Sequence, residues 1–113
     1  MMDTDAIRSL NDRFRKRDPS IPGQTVITSG LWELTGGNPF RLLDLYSQVA
    51  AYDDFSEDND PHHEHDFGDF TFEGQTCFWK IDYYDPTLTY GSENPADLTQ
   101  THRVLTIMLT DEY

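Results

Sequence analysis

F-T-F-E-G-Q-T-C-F-W-K-I-D-Y-Y, residues 70–84, decides the fold. Phe70 and Phe72 alternate with polar neighbours, and Glu73-Gly74 supplies a tight two-residue turn. Gln75 to Tyr84 then runs on as a long strand, so the stretch spells a β-hairpin. Side chains alternate along a strand, which puts Cys77, Trp79, Ile81 and Tyr83 on one face and Phe78, Lys80, Asp82 and Tyr84 on the other. Asp85-Pro86 stops the second strand. Residues 86–101 carry Pro86, Gly91 and Pro95 and read as a long loop. From Arg103 to Thr110, Leu105, Ile107 and Leu109 alternate with Val104, Thr106 and Met108, which predicts the last strand.

Upstream the period changes to that of helices. Asp3 or Thr4 can cap a first helix, on which Ile7, Leu10 and Phe14 form a narrow apolar stripe. Its acids come early and its bases late, as the helix dipole favours, and Asp18-Pro19 ends it. Gln24 to Ser29 is rich in β-branched residues and reads as a strand. Glycines 30, 36 and 37 break the chain around Leu31-Trp32-Glu33-Leu34, which reads as a loop or short turn. Asn38-Pro39 is an N-cap followed by proline at the first helical position. Leu42, Leu43, Tyr46, Val49 and Ala50 recur at helical spacing, predicting a second helix over roughly 39–53. The expected order is therefore α-β-α-β-β-β, a single α+β domain over 1–113, with an antiparallel sheet and two helices.

Charge is the strongest global property. The 113 residues hold 8 Lys and Arg against 21 Asp and Glu, a formal balance of −13. It is unevenly spread: residues 1–17 carry five bases and three acids, whereas 18–113 carry three bases and 18 acids. Between Arg41 and Lys80 there are ten acids and no base. Such a surface repels nucleic-acid phosphates and anionic lipid and attracts basic proteins, so neither direct nucleic-acid binding nor membrane association is expected. The single cysteine, Cys77, excludes an internal disulfide framework and fits a reducing cytoplasm. The charged N-terminus reads as no signal peptide, and no stretch approaches the length of a membrane span.

The runs N-D-P-H-H-E-H-D-F-G (59–68), F-W-K-I-D-Y-Y-D (78–85), Y-G-S-E-N-P-A-D (90–97) and R-V-L-T-I-M-L (103–109) resemble a bacterial family catalogued only as domain of unknown function 3768. The start, M-D-T-D-A-I-R-S-L-N-D-R-F-R (2–15), is similar too. The resemblance implies a stand-alone, single-domain protein. It brings no activity, cofactor or catalytic residue.

Three constellations are candidates for function. The acidic loop of about 53–66 presents Asp53, Asp54, Glu57, Asp58, Asp60, Glu64 and Asp66, with Asp69 just beyond it. Carboxylates spaced like phosphates can occupy a basic groove built for nucleic acid, as small acidic proteins that block CRISPR complexes or restriction enzymes do. The expected partner is then a basic protein or nucleic-acid-processing complex, engaged by a monomer or homodimer without cofactor or catalysis. The bland alternative is that the charge serves only solubility. A second constellation is a polar pocket formed by His65, Lys80, Asp82, Tyr84 and Asp85, where neighbours could tune a lysine for acid–base work in a small enzyme. The competing account is an ion pair on the wet face of a sheet. The third is metal binding by the 62–66 loop: if that segment is extended, His63 and His65 point the same way as a two-histidine clamp. Neither an H-E-x-x-H motif nor an EF-hand loop is present.

Overall fold

The computed structural model describes residues 3–113. The chain runs α1 (Thr4–Arg15), β1 (Gly23–Ile27), α2 (Ser29–Thr35), α3 (Pro39–Ala51), β2 (Phe67–Phe72), β3 (Gln75–Tyr84) and β4 (His102–Leu109), with single 3-10 turns at Leu98–Gln100 and Thr110–Glu112. This is an α+β domain, but with three helices rather than two.

β2, β3 and β4 form the expected antiparallel meander, with Phe70 opposite Cys77 and Trp79 opposite Ile107. The hairpin turn takes Glu73 (φ 49°) and Gly74 (φ 81°) through the left-handed region, as a tight two-residue connection requires. The sheet as a whole is mixed, not antiparallel. β1 joins the outer edge of β4 in parallel, Gly23 beside Arg103 and Ile27 beside Ile107, giving the order β1-β4-β3-β2. A strand read in isolation carries no mark of which neighbour it will choose.

One sheet face is dry. Cys77, Trp79, Ile81, Leu105 and Ile107 pack there against Leu10 and Phe14 of α1, Leu31 of α2, and Leu45 and Val49 of α3. The other face carries Lys80, Asp82 and Tyr84, plus a small apolar corner. There Phe78 lies opposite Met108, and Tyr113 meets Phe67 and Phe78 edge-on at ring distances of 6.4 and 5.6 Å. That cover buries Met108 although it lies outside the main core.

The caps expected for two helices are present. Asp3 accepts from the Ala6 amide at 3.1 Å, and Asn38 from those of Phe40 and Arg41 at 2.9 and 3.2 Å. The apolar stripe of α3 is Leu45 and Val49, whereas Leu43 points outward. That helix ends at Ala51, two residues before the expected boundary.

α2 departs most from the sequence reading. Its N-cap, Thr28, makes no side-chain cap hydrogen bond. Instead Glu112, arriving from the far end of the chain, accepts from Thr28 Oγ1 at 2.6 Å and from the Gly30 amide at 2.9 Å. Those bonds, Thr28 foremost, hold the Glu112 carboxyl below its ordinary value of 4.5. A carboxyl whose pKa is depressed by folding stabilises fully above its unfolded value and loses that contribution as pH falls through the folded one. Glu112→Ala is therefore expected to cost about 1 kcal/mol near neutral pH, the usual worth of a helix cap. Thermal melts should show the deficit shrinking as pH drops below 4.5, whereas an undiminished deficit in acid would place the effect elsewhere.

Candidate functional site

The acidic segment leaves α3 and crosses back over α1 before entering β2. Two hydrogen-bonded layers hold it. In the first, Tyr52 and Asn59 tie the first half together: Asn59 Nδ2 donates to the Asp54 carbonyl at 2.9 Å and to the Tyr52 hydroxyl at 3.2 Å. In the second, Asp60 organises the turn. Its Oδ1 accepts from the backbone amides of Glu64 and His65, both at 3.1 Å, and the residue is only 2% exposed. These bonds support the left-handed backbone at His63 (φ 57°) and His65 (φ 54°), a conformation uncommon outside glycine.

The loop is then docked onto the polar side of α1. Arg8 donates to the His63 carbonyl at 3.0 Å. His65 Nδ1–H donates to Asp12 at 2.8 Å, and its ring stacks on Phe55 at 3.7 Å with 2° between planes. Asp12 also accepts from Arg15 at 2.7 Å. Arg15, 3% exposed, turns inward over the Trp79 ring and donates to the Val49 and Tyr52 carbonyls at the end of α3.

A second buried network lies beside it. Asn11 donates to the Glu64 carbonyl at 2.9 Å and to the Tyr83 hydroxyl at 2.7 Å, and accepts from Arg103 Nε at 2.7 Å. Tyr83 in turn donates to the Glu64 carboxylate at 2.7 Å. Burial drives the Tyr83 phenol far above its ordinary value, so it stays a proton donor. Arg103, fully buried, donates also to the Pro95 carbonyl at 2.6 Å and lies over the Tyr83 ring; burial lowers its pKa.

The eight carboxylates singled out in the sequence thus divide by role. Asp53, Asp54, Glu57, Asp58 and Asp69 are exposed. Among the described residues none of these five makes an ion pair. Asp60 is a buried turn-former instead of a surface charge, and Glu64 is committed to Tyr83. Asp66 is half-buried, and desolvation followed by the nearby Glu64 charge pushes its carboxyl up. Removing Asp60 or Glu64 therefore disturbs the fold as well as the surface.

The polar pocket expected from His65, Lys80, Asp82, Tyr84 and Asp85 does not assemble. His65 stacks under Phe55 on the helix side, while Lys80, Asp82 and Tyr84 lie on the opposite face of the sheet. There Lys80 pairs with Asp82 at 2.9 Å, and that bond raises the lysine further from a basic role. Asp85 holds its own turn, accepting from Thr87 and Thr89. Nor is the 62–66 loop extended. Its backbone reverses at His63 and His65, and His65 is occupied by Asp12, so the two imidazoles form no clamp. No group of three potential metal ligands occurs among the described residues, and no described helix is long and apolar enough to cross a membrane.

What the sequence reading missed is the set Asn11, Asp12, Arg15, Tyr83 and Arg103, which places the loop. The one available signal was that Asn11 and Phe14, like Asn11 and Arg15, are helix-face neighbours at three- and four-residue spacing.

A family model described as a protein of unknown function, DUF3768, matches residues 27–112. The chain belongs to that family. The DUF3768 match takes in α2 to the final 3-10 turn, hence the whole acidic loop, the hairpin and Glu112. α1 and β1 up to Val26 precede it, so the DUF3768 loop docks here on a helix outside the matched span. No curated protein and no solved structure matches the chain.

Proposed function

We propose that this protein is a non-enzymatic acidic binding protein of the cytoplasm. It engages a basic protein surface, presents carboxylates where nucleic-acid phosphates would lie, and so inhibits a nucleic-acid-processing complex. The observation that carries this reading is the fixed, one-signed loop. Asp53, Asp54, Glu57 and Asp58 project from a segment tied down at Asn59, Asp60 and His65, with Asp69 on the adjoining strand. Fixed charges lose less conformational freedom on binding than charges on a floppy chain, so more of the Coulombic gain survives as affinity. A solvating tail needs no such anchoring.

The test is retention of host-lysate proteins on the immobilised chain, eluted either by a salt gradient or by double-stranded DNA. Basic nucleic-acid-binding proteins should be held at low salt and displaced by DNA. The quadruple variant Asp53→Asn, Asp54→Asn, Glu57→Gln, Asp58→Asn should weaken retention at least tenfold near 0.1 M salt, about 1.4 kcal/mol. Its melting temperature should stay near wild type, since surface changes cost little. Retention that ignores both DNA and these four substitutions would end the proposal.

A further inference from the structure

The outward face of α3 is exposed at Phe40, Leu43, Asp44, Ser47 and Ala51, a continuous stripe at helical spacing. At its N-terminal end the stripe is apolar and bare: Phe40 is 83% and Leu43 62% exposed. On α2, Trp32 is 49% exposed and its indole lies against Gly37, three residues before Phe40. Three large apolar side chains thus stand in solvent along one short stretch of chain. At its other end the stripe leads into the exposed Asp53 and Asp54. Phe40 and Ala51 are separated by about 16 Å along the helix.

The surrounding charge says what covers this face. Glu33 and Asp44 flank it and are exposed. Of the bases near α3, Arg41 is engaged by Glu73 of the hairpin, Arg17 lies over the Tyr46 ring, and Lys16 stands beside Ala51 and Asp53. The acids Glu33, Asp44, Asp53 and Asp54 thus still outnumber the bases not engaged by an acid. A second copy would bring another chain of charge −13 against an acidic rim, which like-charge repulsion opposes. A partner carrying apolar anchors beside lysines or arginines satisfies both features.

We infer that the α2–α3 face is a docking surface for an amphipathic basic segment of a protein partner, whose apolar side chains sit on Trp32, Phe40 and Leu43 while its cations run toward Asp44, Asp53 and Asp54. This rests on, and specifies, the acidic-binding reading above. It makes the helix face supply the apolar contact and the loop the charge, a division common in groove-binding helices.

Trp32 reports on the face directly, because the other tryptophan, Trp79, is fully buried. The probe is a synthetic 18-residue helical peptide of leucine and lysine, with a leucine and glutamate counterpart as control. The lysine peptide should shift Trp32 emission to the blue and saturate, and the glutamate peptide should not. Phe40→Ser with Leu43→Ser should raise the Kd at least tenfold while leaving the far-ultraviolet circular dichroism unchanged. No shift, an equal shift with both peptides, or an unchanged Kd in that double variant overturns the docking surface. So does a dimer, seen by light scattering, that the double variant dissociates, since a second copy then occupies the face. Binding that survives the double variant but is lost in the quadruple loop variant leaves the loop reading standing and removes this one. The reverse pattern removes the loop reading and, with it, the run of partner cations toward Asp53 and Asp54 that this inference requires.

Discussion

Asn11→Ala is expected to destabilise the fold by about 3–4 kcal/mol, a large share of the stability of a domain this size. The side chain is fully buried and makes three hydrogen bonds, to the Glu64 carbonyl, the Tyr83 hydroxyl and Arg103 Nε. Its loss leaves the buried Arg103 guanidinium with the Pro95 carbonyl as its remaining partner and a Tyr83 ring beneath it. A buried charge left short of acceptors costs more than the bond it loses. The double variant Asn11→Ala, Arg103→Leu should therefore be more stable than Asn11→Ala alone, because it removes the orphaned charge. Urea melts of the two variants and the wild type decide the point. If the single variant melts within 1 kcal/mol of wild type, on the order of the smallest loss a buried bond to a charged group allows, the network does not hold the loop to α1.

Arg15→Met should cost about 3 kcal/mol, since it takes the charged donor from two carbonyls at the end of α3. The arginine closes the C-terminal end of α3 by donating to the Val49 and Tyr52 carbonyls at 2.8 and 3.1 Å, and α3 has no base of its own in its last turn. It also holds Asp12 in place for His65, and it lies 4.7 Å from the Trp79 ring centroid. Methionine keeps the length and some of the packing but none of the donors. The melting temperature is expected to fall by about 10–20 °C. Arg15→Lys should recover less than half of that, since an ammonium cannot reproduce the planar fork that serves two carbonyls and a carboxylate together. Hydrogen exchange should quicken in residues 53–66 before the sheet. Uniform quickening across the domain would mean that Arg15 supports the core generally and not the loop.

The two variants explain why the acidic loop was only half legible in the sequence. That 53–66 is polar, bent and solvated follows from its composition. That it is pinned follows from Asn11, Arg8 and Asp12, which meet it across sequence separations of 53 to 55 residues. Asp60 shows the same limit from inside the loop. Among so many acids nothing distinguishes the one that caps two amides from those that face water, because both are written as the same letter.

Local chemistry by itself determined the hairpin, the two faces of β3, the starts of α1 and α3 and the strongly one-signed body. Each depends on neighbours two to four residues apart, and a single sequence displays those. The tertiary structure alone decided three further things. It made α2 a helix, since seven residues containing a glycine do not hold a helix in isolation and this one is closed by Glu112, 84 residues from Thr28. It set β1 parallel beside β4, pairing residues 80 apart such as Gly23 and Arg103. And it turned Asn11 and Arg103, 92 residues apart, into one buried contact. Burial selects such partners by which surfaces the packed helices and sheet leave facing each other, and no spacing along the chain records that choice.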